Sequence, residues 1–215
     1  MAHALWPLFD LRLRTDRLEL RLPTDDELAM LCLIAMEGIH DPGEMPFGYP
    51  WTKVPSPRFE REFAQFHWGL RARWQPNDWN LALMVVADGR PIGSQDIGAR
   101  DLAVLRTVGT GSWLGRPFQG QGFGKEMRHA VLAMAFEHLG AEVAETDALL
   151  DNAASAGVSR AVGYRENGLG RLAPQGRARD TQRFRLTAAE WRDRPHPTVA
   201  VEGLERCLEL FGVPA

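Results

Sequence analysis

At 215 residues, with a formal net charge of −3 and 45% hydrophobic residues, the chain is long enough to bury one sizeable core and reads as a single domain. The mildly acidic balance argues against a protein built to grip nucleic acid backbone, and no run approaches the ~18 apolar residues of a membrane span. The opening "MAHALWPLFDLRLRTDRL" lacks the basic start and apolar stretch of a secretion signal, so the expected location is cytoplasmic. Cys32 and Cys207 lie in apolar helix-like stretches without cysteine or histidine at ligand spacing, which predicts packing roles and no metal site.

Leu18, Leu20 and Leu22 alternate with a period of two, then Leu28, Leu31 and Ala35 recur at helical spacing. Thr24 with Glu27 forms a capping box at the switch, so a strand leads into a helix that ends near Gly38. "HDPGEMPFGYPWTKVPSP" follows, with five prolines between Pro42 and Pro57 and the bulky Met45, Phe47, Tyr49 and Trp51. It is predicted as a long loop, serving either as a lid over a binding site or as a cover for the protein's own core. A helix is predicted from Arg58 to Trp74, two strands joined at Asp88-Gly89, and a third strand from Arg106 to Leu114.

The next stretch, "RPFQGQGFGKEM", sets Gly120, Gly122 and Gly124 at alternate positions and runs into a helix-like segment. Such spacing lets main-chain N–H groups converge on an anion at a helix N-terminus, although a plain flexible turn has the same composition. A P-loop would require glycine where Gln119 stands and a hydroxyl residue where Glu126 stands. A dinucleotide fingerprint would require glycine at Lys125, and the preceding strand belongs to a hairpin series.

Met127, Val131, Met134 and His138 then mark the buried stripe of a helix stopping near Gly140. "EVAETDALL" reads as a strand, "NAASAGVSRAVG" as a short helix opening at Asn152, and "YRENG" as the start of another strand. A last strand passes through Phe184 into a second capping box at Thr187 and Glu190. The core is expected over about residues 15–193, with 194–215 as a C-terminal extension.

The pattern Gln119-x-x-Gly122-x-Gly124 between a strand and a long helix resembles the Q/R-x-x-G-x-G/A motif of the GCN5-related N-acetyltransferase (GNAT) superfamily. Asn152, Ser155, Gly163, Tyr164 and Gly168 are similar to the signature of its RimJ/RimL-like branch, the ribosomal-protein N-acetyltransferases. The resemblance spans Arg17 to about Trp191. It implies an α/β (α+β) fold with a mixed, mostly antiparallel sheet that splays in the middle and is flanked by helices.

It also implies an enzyme with acyl-coenzyme A as co-substrate, acetyl-CoA first and succinyl-CoA as the alternative, and direct attack by an amine from a protein N-terminus or a small molecule. The arginines at 171, 177, 179, 183 and 185 are the feature that keeps a dicarboxylic donor open. Gln119, Gly120, Gln121, Gly122, Phe123, Gly124 and Lys125 would hold the pyrophosphate, with N–H groups from Gln121 to Lys125 as its donors. Trp113 and Leu114 would stand at the splayed strand end, and Asn152 and Ser155 along the pantetheine arm.

Many superfamily members carry a tyrosine acid seven residues after the asparagine, where this chain has Ser159. Ser155, Ser159 or water then remain as proton donors to sulfur. Asp96 is the candidate base, with Glu37, His40 and Asp41 as rivals. The alternatives are a non-catalytic acyl-CoA-binding or interaction protein on the same fold and, further off, a phosphate-binding NTPase. The apolar C-terminal "VEGLERCLELFGV" would pack either on its own chain or on a second one, the latter giving a homodimer.

Overall fold

The computed structural model describes residues 3–213, the side chain of Gln175 excepted. Nine strands form one sheet in the order β7-β8-β6-β5-β4-β3-β2-β1-β9. They are β1 (Arg12–Arg14), β2 (Leu18–Arg21), β3 (Asp78–Ala87), β4 (Arg90–Arg100), β5 (Thr107–Leu114), β6 (Val143–Leu149), β7 (Arg165–Leu172), β8 (Arg179–Thr187) and β9 (Ala200–Glu202). Every pairing is antiparallel except β5 with β6. The helices are α1 (Asp25–Glu37), α2 (Arg58–Ala72), α3 (Leu102–Leu105), α4 (Phe123–Ala133), α5 (Ala153–Val162) and α6 (Ala188–Arg192).

Strand periodicity divides the apolar residues between two cores. Leu81, Leu83 and Val85 of β3 pack with Ile97, Val108 and the buried face of α4, while Met84 and Val86 face α1 and α2. Both capping boxes form as predicted: Thr24 accepts from the Glu27 N–H, and Thr187 accepts from the Glu190 N–H. Asp88 and Gly89 both have positive φ, 48° and 74°, the twist that a two-residue hairpin needs. α4 passes into a π turn at Met134–His138, and Gly140 with φ 69° closes the segment.

The proline-rich loop covers the second core. Trp51 stacks on Phe59 with ring centroids 6.0 Å apart and packs on Trp113 at 5.8 Å, so this aromatic cover joins α2 to the end of β5. Tyr49 on the same loop is 60% exposed, so the loop presents one aromatic outward while burying others.

The segment read as a terminal appendage is integrated into the sheet. β9 extends it by pairing with β1, and Phe211 lies edge-on to Trp79 at 4.8 Å with its side chain fully buried. Trp74 donates its Nε1–H to the Leu210 carbonyl at 2.7 Å. β1, β9 and α3 have only three or four residues each, too short for a periodic pattern to reveal them.

Candidate active site

β5 and β6 hold together only at their first residues, with Thr107, Val108 and Gly109 opposite Val143, Ala144 and Glu145. Beyond Gly109 they part. β6 stays paired to β8 through Leu149, and β5 stays paired to β4 through Leu114. The result is the predicted fork, with Ser112, Trp113 and Leu114 on one arm and their backbone edge free of β6. Thr146 Oγ donates to the Thr110 carbonyl at 2.9 Å and pins the vertex.

The glycine stretch caps this fork. Gly120 and Gly122 have φ 74° and 85°, the left-handed backbone that glycine adopts without strain, and Gly122 is the N-cap of α4. The N–H groups of Gln121, Gly122, Phe123 and Gly124 meet no acceptor among the described residues, and they stand free at the positive end of the α4 dipole, a short turn beyond the end of β5. This geometry fits a pyrophosphate.

The expected cradle from Gln121 to Lys125 narrows here, because the Lys125 N–H donates to the Gly122 carbonyl at 3.1 Å. Gly124 serves packing as well. A Cβ there would stand 3.2 Å from Val158 Cγ2, so its absence lets α4 lie close against α5.

Gln119 holds protein rather than ligand. Its Nε2 donates to the carbonyls of Ile39 and Leu114, both at 2.8 Å, tying the cradle to the end of β5 and to the segment after α1. Gln119→Ala would strand both carbonyls. The expected cost is about 2 kcal/mol, a fall in Tm of roughly 4–8 °C, with coenzyme A binding weakened about five- to tenfold. Thermal melts and titration calorimetry check both.

Arg17, absent from the sequence-based expectations, lies beside the cradle. Its guanidinium stacks over Phe123 at 4.6 Å from the ring centroid, pairs with Glu126 and donates Nη1 to the Gln121 carbonyl at 3.2 Å. Thr15 Oγ also donates to Glu126 at 2.6 Å. The β1–β2 turn therefore brings a cation to the N-terminus of α4 across more than a hundred residues of chain. A charged residue in a polar turn gives no sequence signal of this.

Asn152 caps α5, its Oδ1 accepting from the Ser155 N–H at 3.0 Å. Ser155 is half-buried and its hydroxyl makes no hydrogen bond among the described residues. Ser159 is the correction. Its side chain is fully buried and its Oγ donates to the Ser155 carbonyl at 3.1 Å, which spends its proton inside the helix.

Asp96 stands on β4 opposite Gly111 of β5, on the face that α1 and α2 cover in part. Ser94 Oγ donates to Asp96 Oδ1 at 3.2 Å. Burial pushes the Asp96 carboxyl up to about 6, against the opposing effects of the Ser94 hydrogen bond and the Arg128 charge. An open groove of about 580 Å³ adjoins it, lined also by Asn80, Gly98, Arg100 and Gly111. Neither Gly109 nor Gly111 brings a Cβ into this groove, and Asp96 lies within one residue pair of the fork.

The rival bases are engaged or remote. His40 has both ring nitrogens bound, Nε2 to Thr52 Oγ at 2.7 Å and Nδ1 to the Asp41 carbonyl at 2.8 Å. Asp41 pairs with Arg116 at 2.8 Å, and Glu37 is exposed at the end of α1. The anion cradle thus follows the free end of β5, and Asp96, on the groove, stands one residue pair from the vertex where β5 and β6 part. Among the described residues no cluster of histidine, cysteine or carboxylate side chains could hold a metal ion.

Residues 17–165 match the acetyltransferase (GNAT) domain model, and the chain belongs to this family. Its members carry acyl groups on coenzyme A, and this protein is an acetyltransferase of that class. The structure is similar to Mycobacterium smegmatis RimJ in complex with CoA-disulfide, with TM-score 0.68, 22% identity and coverage of 94% of this chain and 95% of that one. RimL, a ribosomal L7/L12 alpha-N-protein acetyltransferase in complex with coenzyme A, aligns with TM-score 0.64 and 17% identity over 80% of this chain and 95% of its own. A GCN5-related N-acetyltransferase from Brucella melitensis gives TM-score 0.68 and 18% identity over 84% and 80% of the two chains. At these identities the likeness is one of fold.

Proposed function

We propose that this protein transfers an acetyl group from acetyl-CoA directly to a primary amine, as a RimJ/RimL-like N-acetyltransferase acting in the cytoplasm as one catalytic domain. The observation that carries the reading is Asp96, a carboxylate with a raised proton affinity, one residue pair from the fork and open to the groove. The N–H groups of Gly122, Phe123 and Gly124 bind the pyrophosphate, with Arg17 and Lys125 adding positive charge. The free backbone edge of Ser112 to Leu114 pairs with the pantetheine amides, and Ser155 lines that arm. Asp96 takes the proton from the acceptor ammonium, which restores the nucleophilic lone pair.

Asp96 suits the groove to a cationic acceptor, a protein N-terminus or a small amine, whereas Asp78 at its far end is paired with Arg100. The succinyl alternative loses part of its basis, since Arg171 pairs with Asp180 and Arg179 with Asp151. A role as a non-catalytic acyl-CoA binder rests on the burial of Ser159. A homodimer remains part of the reading.

Incubation with acetyl-CoA or succinyl-CoA and a panel of N-terminal peptides and polyamines, followed by release of free thiol, tests this. The expected result is turnover with acetyl-CoA on at least one amine. Tight donor binding without turnover on any acceptor would favour the binding module, and preference for succinyl-CoA would reassign the donor.

A further inference from the structure

α4 also carries a buried cation. Arg128 is 2% exposed and stands under the fork on the face opposite the groove. Its Nη2 donates to Ser112 Oγ at 3.2 Å, on the free arm of β5, and its Nε points to Gln95 Oε1 at 3.4 Å. Nη1 is buried and meets no acceptor among the described residues. No carboxylate lies within ion-pair distance of the guanidinium among those residues.

The neighbours hold this cation without neutralising it. Gln95 is fully buried and donates Nε2 to the carbonyls of Asp96 and Gly111, at 2.9 and 2.8 Å, so that Oε1 is left for Arg128. The Tyr164 ring lies 6.0 Å from the guanidinium carbon, and the tyrosine hydroxyl shares a hydrogen bond with Thr110 Oγ at 3.2 Å. Asp96 on β4, His129 on α4 and Tyr164 after α5 are the titratable groups that sense the Arg128 charge. A guanidinium desolvated among neutral partners is costly unless an anion completes it.

In the acyl-CoA reading, the anion that forms inside the fork is the departing sulfur. We propose that Arg128 receives the negative charge of the coenzyme A sulfur as the acyl group leaves, so that a fixed cation replaces a proton donor. The inference rests on the acyl-CoA reading of the fork. Asp96 passes the first ammonium proton to solvent before attack; the acceptor nitrogen then bonds to the carbonyl carbon, the carbon–sulfur bond breaks with its electron pair going to sulfur, and the second nitrogen proton goes to the freed Asp96 carboxylate. Sulfur departs as thiolate opposite Arg128 and takes its proton later from solvent. This accounts for a chain in which Ser159 has no proton to give.

The test is an ultraviolet titration of the thiolate in the complex with coenzyme A, run on the wild type, Arg128→Met and Arg128→Lys, with coenzyme A affinity measured in parallel. The bound thiol of the wild type is expected to ionise at least about one pH unit below free coenzyme A, a tenfold effect. Arg128→Met should return it to the free value with affinity within about threefold, and Arg128→Lys should keep most of the effect. kcat for Arg128→Met should fall about a hundredfold with KM for acetyl-CoA nearly unchanged.

Equal titration of bound and free thiol in the wild type would overturn the proposal whatever the variants do. So would a thiol that ionises alike in the wild type and in Arg128→Met. Failure of the wild type to bind coenzyme A at all would instead remove the acyl-CoA reading, and the inference with it.

Discussion

Gly122→Asp is expected to weaken coenzyme A binding at least about a hundredfold, some 2.7 kcal/mol. Two effects add. Gly122 holds φ 85°, where a side chain strains the backbone, and its N–H belongs to the free group at the start of α4. An aspartate here would set a carboxylate into the cradle against the pyrophosphate and would draw Arg17, which lies 3.5 Å from the position of the new Cβ. Gly122→Ala adds the strain without the charge and is expected to cost about tenfold or less. Calorimetry with coenzyme A reads both, and unchanged affinity in the aspartate variant would remove the pyrophosphate from this loop.

Asp96→Asn should lower kcat/KM about 10²- to 10³-fold, the usual contribution of a positioned base. In the wild type, activity should rise with pH through about 6, where Asp96 loses its proton, and this limb should vanish in the variant. Stability moves in the opposite sense. The folded state binds the Asp96 proton more tightly than the unfolded state, whose carboxyl ionises near the ordinary 3.8, so the wild type loses stability as pH rises from about 4 to about 6. Asparagine carries no charge to desolvate, so the variant should melt above the wild type at pH 7–8 and lose that advantage near pH 4. A slower, more stable enzyme is the expected signature of a carboxylate held in an unfavourable place for its chemistry. If activity and pH profile are both unchanged, Asp96 is not the base.

Local chemistry was readable along the chain wherever a rule acts within a few residues. Both capping boxes, the Asp88-Gly89 turn and the glycine cradle are spelled out by neighbours in sequence, because caps and turns are formed by groups three or four residues apart. The order of strands and helices, and through it the resemblance to the GNAT superfamily, came from hydrophobic periodicity, helped for the short β2 and α6 by the capping boxes beside them. The shorter β1, β9 and α3 escaped for want of a period.

Tertiary structure decided what each polar side chain does. Gln119 stands in a ligand-binding motif yet is bound to the Ile39 and Leu114 carbonyls, and Ser159 stands at an expected acid position yet is bound to its own helix. Arg17 and Arg128 read as ordinary basic residues, one in a turn and one on a helix. The fold brings the first against the cradle and buries the second beneath the fork. Spacing specifies which backbone groups an element leaves free. Whether a side chain meets solvent, protein or ligand depends on residues remote in the chain and on the dielectric they create, and that is determined only when the sheet parts and the helices close over it.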